Sequence, residues 1–151
     1  DLERNDMGRV CQPGSVNVTE LMCLEQYSHV SHIVSNIEGK LNTNVTIHEL
    51  FKSLFPGGTI TGCPKIRCME IISELEPSDR GPYSGSFGYI GFCRQLDFNI
   101  LIRTIFIKNG EASFHVGAGI VADSNPDKEY EETLSKAAAM IEVLSDPACR
   151  T

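Results

Sequence analysis

The chain has 151 residues, 41% of them hydrophobic and 22% charged, with a formal net charge of -7; this balance suits a soluble globular protein with a sizeable core and argues against the disordered class. The acidic excess argues against nucleic acid as a partner, because neutralising phosphates takes clustered Lys and Arg. No apolar run approaches the roughly 20 residues that cross a bilayer, and the start Asp1-Leu2-Glu3-Arg4-Asn5-Asp6 lacks the basic-then-apolar layout of a secretion signal, so no membrane is expected as a partner and the cytoplasm is the expected location.

After a polar first segment containing Pro13 and Gly14, residues 27–41 are rich in β-branched side chains with partial alternation and predict a strand. Ile47, Leu50, Phe51 and Leu54 recur at helical spacing over 46–54, and Pro56-Gly57-Gly58 then opens a loop to about Gly62. Pro64 suits a helix's first turn, and Ile66, Met69, Ile72 and Leu75, flanked by Cys68 and Ile71, predict a helix over 64–75 with that face buried. Residues 83–92 read as a strand whose Gly85, Gly88 and Gly91 permit close approach of another backbone or a ligand.

Two β-rich runs, 97–107 and 112–121, are joined through Asn109-Gly110, the pair that supplies the positive backbone angles of a tight hairpin. Pro126 then opens a last helix continuing to Leu144. Helices and strands are interspersed without the regular alternation of a doubly wound sheet, so the expected class is α+β, a mainly antiparallel sheet with packed helices. No composition shift marks an internal boundary, and 1–151 is read as one unit. Cys11, Cys23, Cys63, Cys68, Cys93 and Cys149 show no CxxC spacing and are expected to be reduced, structural thiols.

Several groups bear chemistry. Glu129, Glu132 and Lys136 project from neighbouring positions on the last helix; the carboxylates suit part of a Mg²⁺ shell, or the three form a solvated face with a Glu132–Lys136 pair of about 0.2–0.5 kcal/mol. Gly117-Ala118-Gly119, at a strand end, offers bare backbone NH groups to an anion, or marks a bulge. Arg103 interrupts an apolar strand, where a guanidinium either points outward or binds a carboxylate through two hydrogen bonds. His29 and His32, three apart in a strand, face opposite sides and cannot share a metal; either is a structural histidine or an acid–base group. The loop before Lys65 lacks the Gly-Lys-Ser/Thr ending of a nucleotide-binding loop.

Taken in order, the start Asp1-Leu2-Glu3-Arg4-Asn5-Asp6-Met7-Gly8-Arg9-Val10, the histidine pair segment 27–32, Pro56-Gly57-Gly58-Thr59-Ile60-Thr61-Gly62-Cys63-Pro64-Lys65, Gly88-Tyr89-Ile90, Ile102-Arg103-Thr104 and Gly117-Ala118-Gly119-Ile120-Val121-Ala122-Asp123-Ser124, followed by Glu129-Tyr130-Glu131-Glu132-Thr133, resemble the chorismate-binding enzyme family over nearly the whole chain. The resemblance implies the C-terminal portion of that family's α/β sandwich, with Mg²⁺ as cofactor and chorismate as substrate. It gives Glu132 the role of direct metal ligand, with Glu129 shaping the metal's shell, and assigns the enolpyruvyl carboxylate to Tyr83 and Arg103. Gly117, Ala118 and Gly119 match an anion cradle, Lys136 a basic group near the ring carboxylate, and His32 and Thr59 positions beside the reacting ring, His32 as a proton-transfer group.

The 56–65 loop resembles the ammonia-using members more than the isochorismate synthases. Phe98-Asn99-Ile100-Leu101-Ile102-Arg103 and the segments around 119–133 favour the aminodeoxychorismate synthase branch of folate and para-aminobenzoate biosynthesis over the anthranilate synthase branch. The implied reaction is amination of chorismate with ammonia from a glutamine amidotransferase subunit or domain. Family motifs expected upstream of residue 1, carrying a lysine and two glutamates, have no counterpart here, so 1–151 is expected to be an incomplete catalytic domain without turnover of its own. A noncatalytic anion-binding fragment is the reading from another class.

Overall fold

A computed structural model describes residues 1–26 and 31–146. The chain forms two compact units, Asp1–Pro77 and Ser78–Thr151, where the composition marks no boundary.

In the first unit, α1 (Leu2–Gly8) precedes a hairpin of β1 (Asn17–Gln26) and β2 (Ser31–Glu38), then α2 (Ile47–Leu54), α3 (Gly58–Thr61) and α4 (Lys65–Leu75). The segment after α1 is tied to the segment after β2: Gln12 N donates to Lys40 O at 2.8 Å and Asn42 N to Val10 O at 3.0 Å. Between Glu20 and Cys23 the hairpin register slips, Met22 takes a φ of 52°, and its N–H donates to Ser35 Oγ at 3.0 Å. An extra residue with a positive φ is what lets a strand bulge without losing its partner. The predicted strand over 27–41 is observed as β2, its first residues, His29 included, lying outside the described ones. β1 was not predicted: its apolar residues show no alternation, and all ten positions are exposed.

The helix predicted at 46–54 is α2, capped by Thr46: Glu49 N donates to Thr46 Oγ1 at 3.2 Å and Thr46 N to Glu49 Oε2 at 2.8 Å. Each satisfies a backbone or side-chain partner the helix end would otherwise leave open. Ile47, Leu50, Phe51 and Leu54 are half-buried, as their spacing requires. The 56–62 stretch is not all loop, since Gly58–Thr61 makes one helical turn against α1 and α4.

α4 departs from expectation. Three of the four residues of its predicted buried face are open, Ile66 75%, Met69 43% and Leu75 76% exposed, and only Ile72 joins Lys65 and Cys68 on the half-buried stripe. Helical periodicity locates an apolar face but not its cover, and none of the described residues covers this one.

The second unit holds β3 (Ser86–Ile90) paired with β4 (Leu96–Ile100), β5 (Phe106–Lys108) paired with β6 (Glu111–Ser113), and α5 (Pro126–Ser145). Among the described residues every strand pair is antiparallel, in keeping with the expected α+β class. Gly88 sits opposite Phe98, where any Cβ would collide with Asp97 O and Phe98 Cα; only glycine permits that approach. Asn109 (φ 54°) and Gly110 (φ 79°) form the predicted turn. The runs 97–107 and 112–121 are shorter as strands than predicted: both break where the chain leaves its partner, at Leu101 and after Ser113. Pro126 opens α5 as predicted, with Asn125 Oδ1 accepting from Asp127 N at 3.1 Å and Lys128 N at 3.2 Å. Ala137 and Met140 are its buried residues.

Of the cysteines among the described residues, Cys11 is buried, which pushes its thiol pKa up through desolvation, and Cys68 is half-buried. Cys23, Cys63 and Cys93 are exposed free thiols, so the structural role expected of all six does not extend to them. No described helix is long and apolar enough to cross a membrane.

Candidate functional site

The second unit gathers four of the predicted residues. A tight turn over 80–85 carries Tyr83 and is fixed to the strand exit: Ser84 N donates to Leu101 O at 3.0 Å and Leu101 N to Gly85 O at 2.9 Å. The Tyr83 phenol reaches Gly117, where a Cβ would lie 2.8 Å from Tyr83 Oη. Residue 117 is therefore glycine because a phenol occupies the space of its side chain. From α5, Lys136 Nζ donates to Gly117 O at 3.2 Å and stands 2.6 Å from Glu132 Oε1. Tyr83, Gly117, Lys136 and Glu132 thus form one continuous chain of contacts between a loop and a helix.

Glu129 lies half-buried on the inward stripe of α5, one turn before Thr133 and two before Lys136 and the buried Ala137, while Glu132 is exposed. Among the described residues no three His, Cys, Asp or Glu side chains converge as a metal site. Two carboxylates three residues apart on one helix, one exposed and one half-buried, beside a lysine, fit the part of a Mg²⁺ shell that leaves room for waters and an anionic ligand.

Gly117, Ala118 and Gly119 do not end a strand as predicted: β6 stops at Ser113, and the three lie in an irregular stretch before α5. Arg103 is likewise not in a strand. It sits in a bend after β4 with a φ of 51° and is exposed, a left-handed backbone that a non-glycine residue adopts seldom and often at a binding site. Leu101 being bonded to the Tyr83 turn, Arg103 leaves the sheet two residues beyond that junction.

His32 and Thr59 belong to the first unit. His32 is half-buried on β2 with Glu25 as its register partner; Thr59 is exposed on α3. The turn that bears Thr59 is braced by a buried ion pair, Lys65 Nζ to Asp6 Oδ2 at 2.8 Å with side chains 10% and 6% exposed. Lys65 Nζ also donates to Ser53 O at 2.9 Å, and Ser53 Oγ to Asp6 O at 2.6 Å, so α1, α2 and α4 share one polar knot. A 280 Å³ cavity lies alongside, lined in part by Asn5, Arg9, Gly58 and Cys63. It is larger than the 60 Å³ cavity beside Tyr83, but its lysine is already neutralised by Asp6.

Sequence reasoning missed Arg80, His115 and the Asp6–Lys65 pair. His115 stacks on Tyr83 with ring centroids 5.6 Å apart and planes 20° apart, and the Arg80 guanidinium lies 5.6 Å from the same ring. The one available signal was that His115 stands two residues before Gly117.

Residues 1–142 match the family described as chorismate binding enzyme. The chain belongs to the chorismate-binding enzyme family. It is 58% identical over 144 residues to an anthranilate synthase component I-like protein of Synechocystis, covering 95% of this chain and 30% of that one. It is 54% identical over 144 residues to aminodeoxychorismate synthase component 1 of Bacillus subtilis, again over 95% of this chain, and 31% of the relative. The crystal structure of anthranilate synthase component I from Streptococcus pneumoniae superposes with a TM-score of 0.84 at 44% identity, over 93% of this chain and 32% of that one. An isochorismate synthase candidate from Bacillus anthracis superposes with a TM-score of 0.81 at 26% identity, over 95% and 38%. The chain thus spans about 30% of the length of the curated relatives it matches.

Proposed function

We propose that this chain supplies one wall of a Mg²⁺-dependent chorismate site in an ammonia-using enzyme, in which chorismate and ammonia give 4-amino-4-deoxychorismate and water. The observation that carries the reading is the contact chain from Tyr83 through Gly117 and Lys136 to Glu132, which sets a phenol, a lysine and a carboxylate around one irregular loop. The preference for ammonia-using members rests on the 56–65 loop and on the higher identity to the anthranilate synthase structure, 44% against 26% for the isochorismate synthase candidate.

In this reading Arg103 and Tyr83 hold the enolpyruvyl carboxylate, the guanidinium through paired hydrogen bonds and the phenol through one. Backbone NH groups of Gly117, Ala118 and Gly119 cradle a substrate anion, and Lys136 neutralises the ring carboxylate. Glu132, assisted by Glu129, holds the metal, which when bound fixes the substrate and draws negative charge toward itself. His32 moves a proton during departure of the ring hydroxyl, with Thr59 beside the ring. The ammonia comes from a glutamine amidotransferase subunit or domain, and the setting is the cytoplasm.

Anthranilate synthase chemistry, which also releases pyruvate from chorismate, is favoured by the identities: a Synechocystis anthranilate synthase component 1 is 56% identical over 149 residues, against 54% for the Bacillus subtilis aminodeoxychorismate synthase component 1. Product analysis of the full-length enzyme separates the two, aminodeoxychorismate without pyruvate against anthranilate with it. The site itself is tested by isothermal titration of the chain with chorismate, with and without Mg²⁺, comparing wild type with Glu132→Ala and Arg103→Ala. Magnesium-dependent binding lost in both variants is the expected result; equal binding in all three defeats the assignment of these residues.

A further inference from the structure

We infer that His115 is a positioning residue that sets the Tyr83 phenol for its anion, and this rests on the proposed role of Tyr83. The turn backbone around Tyr83 is fixed by its bonds to Leu101, so the freedom left to the phenol is that of its side-chain torsions. Two neighbours limit them. The imidazole of His115 lies against the ring at 5.6 Å and 20°, and the bare Cα of Gly117 receives the hydroxyl. His115 and Gly117 are two residues apart on one segment, which therefore grips the tyrosine at its ring and at its oxygen.

The same segment is held at Gly117 O by Lys136. A displacement of the ring would move the hydroxyl away from the point where the loop and the helix meet, whereas loss of the imidazole leaves the backbone bonds of the turn in place. His115 is exposed and β6 ends before it, so its replacement leaves the strand hydrogen bonds in place. Arg80, 5.6 Å from the ring, is a third neighbour but is carried on the same turn as Tyr83 and moves with it. The aromatic stack needs a flat ring at 115, not a proton: phenylalanine should serve and alanine should not.

The experiment is steady-state kinetics of the full-length enzyme with chorismate for Tyr83→Phe, His115→Ala, His115→Gln, His115→Phe and the double variant Tyr83→Phe/His115→Ala. Expected are a three- to tenfold rise in KM for His115→Ala and His115→Gln with kcat within twofold, a near-wild-type His115→Phe, and a double variant no worse than Tyr83→Phe alone. A raised KM in Tyr83→Phe with wild-type KM in His115→Ala overturns the inference and leaves the reading of Tyr83 standing. A His115→Phe as impaired as His115→Ala also overturns it, because the nitrogen and not the ring would then act. A wild-type KM in Tyr83→Phe overturns the role of Tyr83 and the inference with it.

Discussion

Lys136 Nζ stands 2.6 Å from Glu132 Oε1, one helical turn away, while also donating to the Gly117 carbonyl. The carboxylate proposed to take a metal is therefore already paired with a cation of its own helix. Such a pair at 28% and 52% exposure is weak, about 0.5 kcal/mol, and a divalent ion displaces it readily. Removing the lysine should thus help the metal and harm the anion. For Lys136→Met we expect Mg²⁺ to bind about twofold more tightly in the absence of chorismate, from that half kilocalorie, and chorismate to bind more weakly at saturating Mg²⁺. Calorimetric titration in both orders reads the two effects, and a Mg²⁺ affinity lowered by the substitution would show that the lysine does not compete.

Gly117→Ala tests the other end of the same chain. The added methyl would sit 2.8 Å from Tyr83 Oη, so the phenol must swing or the loop must shift, and the ring is already braced by His115. The expected outcome is a chorismate affinity reduced at least tenfold, with stability lowered by about 1–3 kcal/mol. If Tyr83→Phe/Gly117→Ala binds better than Gly117→Ala alone, the hydroxyl is confirmed as the obstructing atom.

Local signals read well from sequence where one short segment decides the outcome. The Asn109-Gly110 turn, the half-buried face of α2 read from Ile47, Leu50, Phe51 and Leu54, and Pro126 at the head of α5 each depend on neighbours within two helical turns. What failed depends on remote contacts. The apolar face of α4 is present but uncovered, β1 is a strand only because β2 pairs with it, and Arg103 leaves its sheet because the partner strand ends. The site residues were named through resemblance. Spacing could place Glu132 beside Lys136, but the meeting of Tyr83 with Gly117 joins positions 34 apart, and no periodicity encodes it.

The Thr46–Glu49 cap makes the start of α2 sensitive to acid. The backbone hydrogen bond from Thr46, then the side-chain one, hold the Glu49 carboxyl below its ordinary value, with the charge of His48 adding in the same direction. A carboxyl lowered by folding contributes stability that is present above its unfolded pKa and is lost as pH falls through its folded one. Helicity of α2 should accordingly be retained at neutral pH and fade on the acid side of the usual glutamate range. Glu49→Gln should flatten this dependence while keeping much of the cap, and Thr46→Ala should cost about 1 kcal/mol at neutral pH. Amide chemical shifts of residues 47–50 followed down in pH provide the check.

The Asp6–Lys65 pair sets the hardest test of the first unit. Both side chains are almost wholly buried, and the lysine has a second acceptor in Ser53 O, so the two charges are compensated mainly by each other. Removing one leaves the other unpaired. Lys65→Met should lower stability by about 3–5 kcal/mol, and Asp6→Leu should do comparable harm. The double variant removes both charges together and should recover a large part of the loss, since a buried pair replaced by apolar groups of similar volume is often neutral. Denaturant melts of the three variants decide it. Additive losses in the double variant would mean that α1 and α4 are joined by packing and by the Ser53 bonds, and that the ion pair contributes little to bracing the turn that carries Thr59.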